Sequence, residues 1–434
     1  MLKVNFSSSM SRKASDKDVK PAARAVHLSA STDAAGPELS IFESLRMKKG
    51  VKHLISMAAV CSGGTCVYAG YNIFRGNEKF YDNILIPLLH CLNPETAHNF
   101  AVQASKFKLI PHSHFKDPEC LTTNVWNIKF ANPVGMAAGF DKQGGAVEGL
   151  LQVGFGFVEI GSVTPMPQPG NPQPRVFRLP EDSAVINRYG FNSDGHVAVH
   201  QRLKNLRENG TDGIIGVNLG KNKTSSDPVQ DYVDGIKMFG DVADYLVINV
   251  SSPNTPGLRN WQNSSQLQEL LTALVSARNE LPQLIKPPLL LKLAPDLTQQ
   301  ERKDIARVIS RKECAVDGLI ISNTTVSREN LQSPAAGEQG GLSGKPLAVS
   351  STSLIKDMFV LTKGEVPIVG VGGIFTGKDA YEKIRAGASL VQFYTAYIYH
   401  GPPRITKIKQ ELSHLLSADG YTNVAEAVGK DVEV

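Results

Sequence analysis

The chain has 434 residues, 41% hydrophobic and 20% charged, so it can bury a large core and is not a disordered polymer. Lys+Arg 46 against Asp+Glu 41 leaves +5, too slight and too dispersed for a nucleic-acid binder. Cys61, Cys66, Cys91, Cys120 and Cys314 form no CxxC pair and no HExxH occurs, which excludes a disulfide scaffold, a cysteine-rich zinc site and a zincin; no metal site is expected.

Residues 1–50 hold nine Lys/Arg, five Asp/Glu and nine Ser, with six bases and two acids in the first thirty. That bias predicts a transit peptide for an organelle, the alternative being a disordered tail without an address. Residues 51–75 predict a transmembrane helix. The run from Leu54 to Phe74 is uncharged, and its 21 residues at about 1.5 Å each span about 31 Å, the thickness of a bilayer core. Lys48, Lys49 and Lys52 precede it, Arg75 follows, and Tyr68, Tyr71 and Phe74 lie near its far end as interfacial aromatics do. Ser56, Ser62, Gly63, Gly64 and Thr65 weaken the span, and a buried soluble helix is the alternative to a single-pass anchor.

Residues 76–116 read as two short amphipathic helices. The first, at 80–92, is too short to cross a membrane and too apolar for a solvated surface. The second opens on Asn93 as N-cap, Pro94 at the first helical position and Glu95 in the first turn. The pair forms either a greasy lid at a bilayer surface or ordinary packing against the main domain.

Residues 117–420 alternate strand and helix with great regularity, and 421–434 form a C-terminal tail. The strand candidates PVGMAAG, FVEIGSV, GIIGVNLG, YLVINVS, PLLLKLAP, GLIISNTT, PIVGVGGI and LVQFYTA are short and apolar throughout, as strands covered on both faces are. Between them fall helical segments such as SQLQELLTALVSARNEL, with Leu267, Leu270, Leu271 and Leu274 on one face. Eight such units predict an α/β fold, a (β/α)8 TIM barrel with an N-terminal two-helix extension and a single-pass anchor. An open doubly wound sheet is disfavoured, because no GxGxxG follows the first strand.

A barrel places chemistry at the C-terminal strand ends. Those ends carry Lys142, Ser162, Thr164, Asn218, Asn249, Ser251, Ser252, Lys292, Asn323, Thr324, Gly372, Gly373, Tyr394 and Thr395. Gly370 to Ile374 together with Thr395 sit where barrels bind phosphate. Lys292, inside an apolar run, needs a negative partner or a chemical role. It would neutralise an electron-rich ring, form a Schiff base, or merely snorkel at the strand end. Asn187, Asn249, Asn254 and Asn323 fall on predicted rim loops and suit a planar, amide-edged ligand such as a pyrimidine; Lys142 would pair with a carboxylate.

The ordered motifs MAAGFDK, EIGSVTP, NPQPRVFRL, INRYGFNS, VNLGKNK, INVSSPNTPGLR, LLLKLAPD, SNTT, GGLSGKPL, VGVGGI and QFYTA resemble class 2 dihydroorotate dehydrogenase, the membrane-bound, quinone-reducing form, over about residues 78 to 412. The resemblance implies oxidation of dihydroorotate to orotate at bound FMN, in pyrimidine synthesis, with ubiquinone as electron acceptor at the mitochondrial inner membrane. It implies Ser252 as catalytic base, with a proton relay through Thr255, the Phe191 region and water. Orotate would be held by Lys142, Asn187, Asn249, Asn254, Asn323 and Thr324. FMN would be held by Ala138, Gly139, Ser162, Asn187, Asn218, Lys292, Ser322, Gly344, Gly372, Gly373, Tyr394 and Thr395, with Lys292 stabilising negative charge on the ring. The helices at 80–108 would form a quinone tunnel with His98, Arg178 and Tyr394 as its polar contacts. Leu89 departs from the family, standing where mammalian members have Gln. A Schiff-base aldolase or lyase using Lys292, a non-enzymatic membrane-tethered flavin binder, and a fumarate- or NAD-dependent relative are the competing readings.

Overall fold

The computed structural model describes residues 37–433, and the chain divides between Thr65 and Cys66 into two units. A 38-residue helix, Pro37–Phe74, starts inside the segment read as a transit peptide; residues 1–36 of that segment lie outside the described residues. On this helix Leu54, Ile55, Met57 and Val60 are exposed. Among the described residues it is the one helix long and apolar enough to cross a membrane.

The first extension helix runs through Glu78–Phe80, Tyr81–Leu85 and Ile86–His90, with a π turn in the middle stretch. Pro87 has no N–H to donate to the preceding turn, and the helix widens just before it. The second extension helix, Pro94–Lys106, is capped as expected: the Asn93 carboxamide oxygen accepts the Glu95 N–H at 3.0 Å.

The strands, in chain order, are β1 (Thr123–Val125), β2 (Ile128–Phe130), β3 (Val134–Met136), β4 (Phe157–Val163), β5 (Val176–Leu179), β6 (Ala184–Asn187) and β7 (Ile214–Leu219). They continue as β8 (Tyr245–Asn249), β9 (Leu289–Leu293), β10 (Gly318–Ile321), β11 (Gly341–Gly344), β12 (Ile368–Val371) and β13 (Ala388–Phe393). Strands β3, β4, β7, β8, β9, β10, β12 and β13 close into a parallel barrel, each paired with its two neighbours. All eight coincide with the strand candidates of the sequence.

Two further sheets were not anticipated. The hairpin β1–β2 brings Val125 and Phe130 against Phe157 and Tyr245, in one buried cluster with Leu290, Ile320 and Leu390. Gly216 exists for this packing, since a Cβ there would fall 2.0 Å from the Tyr245 ring. The antiparallel sheet β11–β6–β5 pairs Gly344 with Ala184 and Gly341 with Asn187. Asn187 therefore ends a strand of this sheet and is not on a rim loop, which corrects the sequence reading.

Candidate functional site

Period-two alternation gives the barrel interior its layers. Phe157, Tyr245, Leu290 and Leu390 are apolar; two residues further on in β4, β9 and β13 come Glu159, Lys292 and Gln392, all buried. Asn218 in β7 joins them, donating from Nδ2 to Glu159 Oε1 at 2.9 Å. Lys292 Nζ donates to the same oxygen at 3.2 Å, and Gln392 Nε2 donates to Oε2 at 2.8 Å. The negative partner that Lys292 required is thus Glu159. Sequence reading passed over it inside the quoted motif FVEIGSV, although a charge in an apolar strand is the same signal that singled out Lys292.

Above this layer lies an open cavity. Lys142, Asn187, Phe191, Asn249, Ser252, Asn254, Asn323 and Thr324 line it. So do Ala138, Gly139, Ser162, Lys292, Ser322, Gly344, Gly372, Gly373, Tyr394 and Thr395. Two predicted residues stand apart. Asn218 is fully buried beneath the cavity and reaches it through Ser162 and through Asn249 Nδ2, which donates to Asn218 Oδ1 at 3.1 Å. Thr255 is buried and is not among the lining residues.

The amides face one another. Asn249 Nδ2 donates to Ser162 Oγ at 2.8 Å, and Asn323 Nδ2 donates to Asn249 Oδ1 at 3.1 Å and to Ser251 Oγ at 2.9 Å. Asn254 Nδ2 donates to Asn187 Oδ1 at 3.3 Å. Ser252 Oγ accepts the Asn254 N–H at 3.3 Å. These contacts join the amides and hydroxyls into one cluster at the ends of β8 and β10.

Lys142 donates to Gly139 O at 2.6 Å and lies 4.0 Å over the Tyr189 ring. Burial, and then repulsion by Arg175, lower its pKa to about 8, against the opposite pull of Glu95 and Asp141. Arg175 stacks on the same Tyr189 ring at 5.1 Å and is bidentate to Glu95, with Nη2 to Oε1 at 2.7 Å. That buried ion pair ties the second extension helix to the active face, so this helix packs on the barrel domain through one side. Its role was invisible in sequence, because Glu95 reads only as an N-terminal acid.

A second cavity is largely apolar and is walled by Leu85, Leu89, Ala97, His98, Phe100 and Ala101 among others. Val176, Val185, Tyr189, Tyr394 and Ile398 line both cavities. His98 Nδ1 lies 3.1 Å from the Tyr394 hydroxyl, and burial followed by the Lys142 charge drives the pKa of His98 down to about 3. The imidazole is therefore neutral at physiological pH, and burial keeps the Tyr394 phenol protonated. Arg178 also lines this cavity and donates to His90 O at 3.0 Å and to Leu92 O, taking up carbonyls at the end of the first extension helix. Ile84, Leu88 and Leu92 beside the cavity are exposed, as are the wall residues Phe100, Phe107 and Leu109.

Known proteins share this arrangement. The sequence pattern of the family described as dihydroorotate dehydrogenase matches residues 120–416. A Mus musculus protein named dihydroorotate dehydrogenase (quinone), mitochondrial, is 51% identical over 387 residues, covering 88% of this chain and 98% of its own. A Parvibaculum lavamentivorans protein named dihydroorotate dehydrogenase (quinone) is 50% identical, covering 80% and 98%. A ligand-free crystal structure of the Eimeria tenella enzyme superposes with a TM-score of 0.76 at 43% identity, covering 79% of this chain and all of that one. Membership implies a flavin cofactor, and it removes the aldolase and non-enzymatic readings, as the engagement of Lys292 by Glu159 already suggests. With closed barrel, polar rim and adjoining apolar cavity in place, the chain belongs to the dihydroorotate dehydrogenase family, in its quinone-dependent class 2 branch.

Proposed function

We propose that this protein oxidises dihydroorotate to orotate at FMN in pyrimidine synthesis and passes the electrons to ubiquinone drawn from the mitochondrial inner membrane. The observation that carries the reading is the shared wall: the cavity that holds the strand-end amides and the apolar cavity have Val176, Val185, Tyr189, Tyr394 and Ile398 in common. FMN, when bound, supplies the hydride acceptor and the route for electrons to a quinone.

The residues present fit that group. Ala137, Leu347 and Val371 offer apolar walls for a flat ring, and Lys292 supplies a cation beside it. Gly372 and Gly373, at φ of +115° and +74°, follow the seventh barrel strand. Thr395 opens the short helix after the eighth, which is where barrels take phosphate. Ser162, Ser322, Gly344, Ala138, Gly139, Asn187 and Tyr394 complete the holding set, with Asn218 behind them acting through Ser162.

Lys142 pairs with the substrate carboxylate, while Asn187, Asn249, Asn254, Asn323 and Thr324 read its amide edges. Ser252 takes a proton from the substrate ring, and Thr255 with water beside Phe191 hands it on, since a Ser hydroxyl alone is a weak base. His98, Arg178 and Tyr394 meet the quinone head; neutral His98 and protonated Tyr394 offer hydrogen bonds without a fixed charge. The exposed apolar residues around the extension helices seat the mouth on lipid, and the helix ending at Phe74 anchors the chain by a single pass. The test is turnover: detergent-solubilised protein should form orotate from dihydroorotate with a short-chain ubiquinone as sole acceptor. Turnover with fumarate or NAD but not with quinone would reject the reading.

A further inference from the structure

A buried carboxylate without a ligand role of its own, Glu159, lies beneath the cavity. Glu159 has no solvent exposure, and Lys292 has 5%. Its carboxylate gathers Lys292 from β9, Asn218 from β7 and Gln392 from β13, at 3.2, 2.9 and 2.8 Å. Lys292 itself lines the cavity, and Asn218 is one hydrogen bond away from it through Ser162, whereas Glu159 does not line it.

A buried ammonium needs a counter-charge; without one it costs several kcal/mol or gives up its proton. Glu159 is the one carboxylate within salt-bridge distance of Lys292 among the described residues. The other titratable groups facing the pair are Tyr245, which burial keeps neutral and whose hydroxyl accepts from Gln392 Nε2 at 3.3 Å, and Lys142, which lines the same cavity as Lys292.

We infer that Glu159 is a positioning residue for the redox step: its carboxylate fixes the Lys292 ammonium in place beside the flavin and so sets the flavin's reduction potential. The inference rests on the proposed placement of the cofactor against Lys292. It assigns to a residue that touches neither substrate nor cofactor the control of an equilibrium constant. Glu159→Gln keeps the shape and removes the charge that fixes the ammonium, so it disfavours reduction.

Spectroelectrochemical titration of the flavin-loaded protein tests this with Glu159→Gln, Lys292→Met and the double variant. Lys292→Met should lower the potential. Glu159→Gln should lower the reduction equilibrium at least about tenfold, or about 30 mV for a two-electron couple. The double variant should fall no further than Lys292→Met alone, because the carboxylate acts through the lysine. Glu159→Asp, which keeps the charge but draws it back, should lie between wild type and Gln, and it carries the test if the Gln variant does not take up flavin. A potential that rises or stays unchanged in the Glu159 variants, or additive shifts, overturns the inference. No shift in Lys292→Met would instead strike the cofactor placement itself.

Discussion

Substrate affinity should collapse above pH 8, and the reason lies in Lys142. Its amine is pushed down to about 8 by burial and by Arg175, so it is a cation below that pH and neutral above it. An ordinary lysine would hold its charge to beyond about pH 10. Only the cation pairs with a carboxylate, and apparent affinity scales with the competent fraction. That fraction is about one tenth at pH 9 and about one hundredth at pH 10, giving roughly a tenfold weakening per unit. Titrating orotate against the flavin absorbance between about pH 6 and about pH 10 reads this directly. Lys142→Met should bind weakly at every pH and lose the Lys142 limb, which separates titration of the lysine from titration of the ligand. Wild-type affinity that stays level to pH 10, or the same slope in the Met variant, would refute the reasoning.

Ser252→Ala should slow single-turnover flavin reduction by dihydroorotate by about 10²-fold or more while leaving flavin content unchanged, since only the proton acceptor is lost; equal rates would reject its role. Glu95→Gln should destabilise the fold by about 3–5 kcal/mol in chemical denaturation, because it strands Arg175 in a buried site. It should also move the Lys142 limb to lower pH, since Glu95 is one of the charges that hold that amine up. Ala101→Trp, which fills the apolar cavity, should impair reoxidation by quinone and spare reduction by dihydroorotate, as separate stopped-flow half-reactions would show.

The barrel was legible because its strands are apolar on both faces and eight helical segments separate or follow them, a pattern few other folds produce. The sheet β11–β6–β5 was not. Its strands are four residues long, and Ala184 finds Gly344 across 160 positions of chain, a pairing that local pattern does not encode. Depth was equally hidden. Asn218 reads like the other rim amides, yet it lies one layer lower and acts through Ser162 and Asn249. Glu159 carries the same signal as Lys292, a charge inside an apolar strand, but its partner is legible only once β4 and β9 face one another, and Glu95 is hidden by the dual meaning of an acid in a first helical turn. What the residue types do reveal is the chemistry at strand ends, because turn preferences account for one or two polar groups there and not for a polar residue on nearly every strand.

The most direct measurement is the visible spectrum of the purified protein under anaerobic conditions, first with dihydroorotate and then with a short-chain ubiquinone. The account predicts a yellow protein whose flavin absorbance bleaches on the first addition and returns on the second. A colourless protein that FMN does not reconstitute, or a flavin that bleaches and is not restored by quinone, would contradict it.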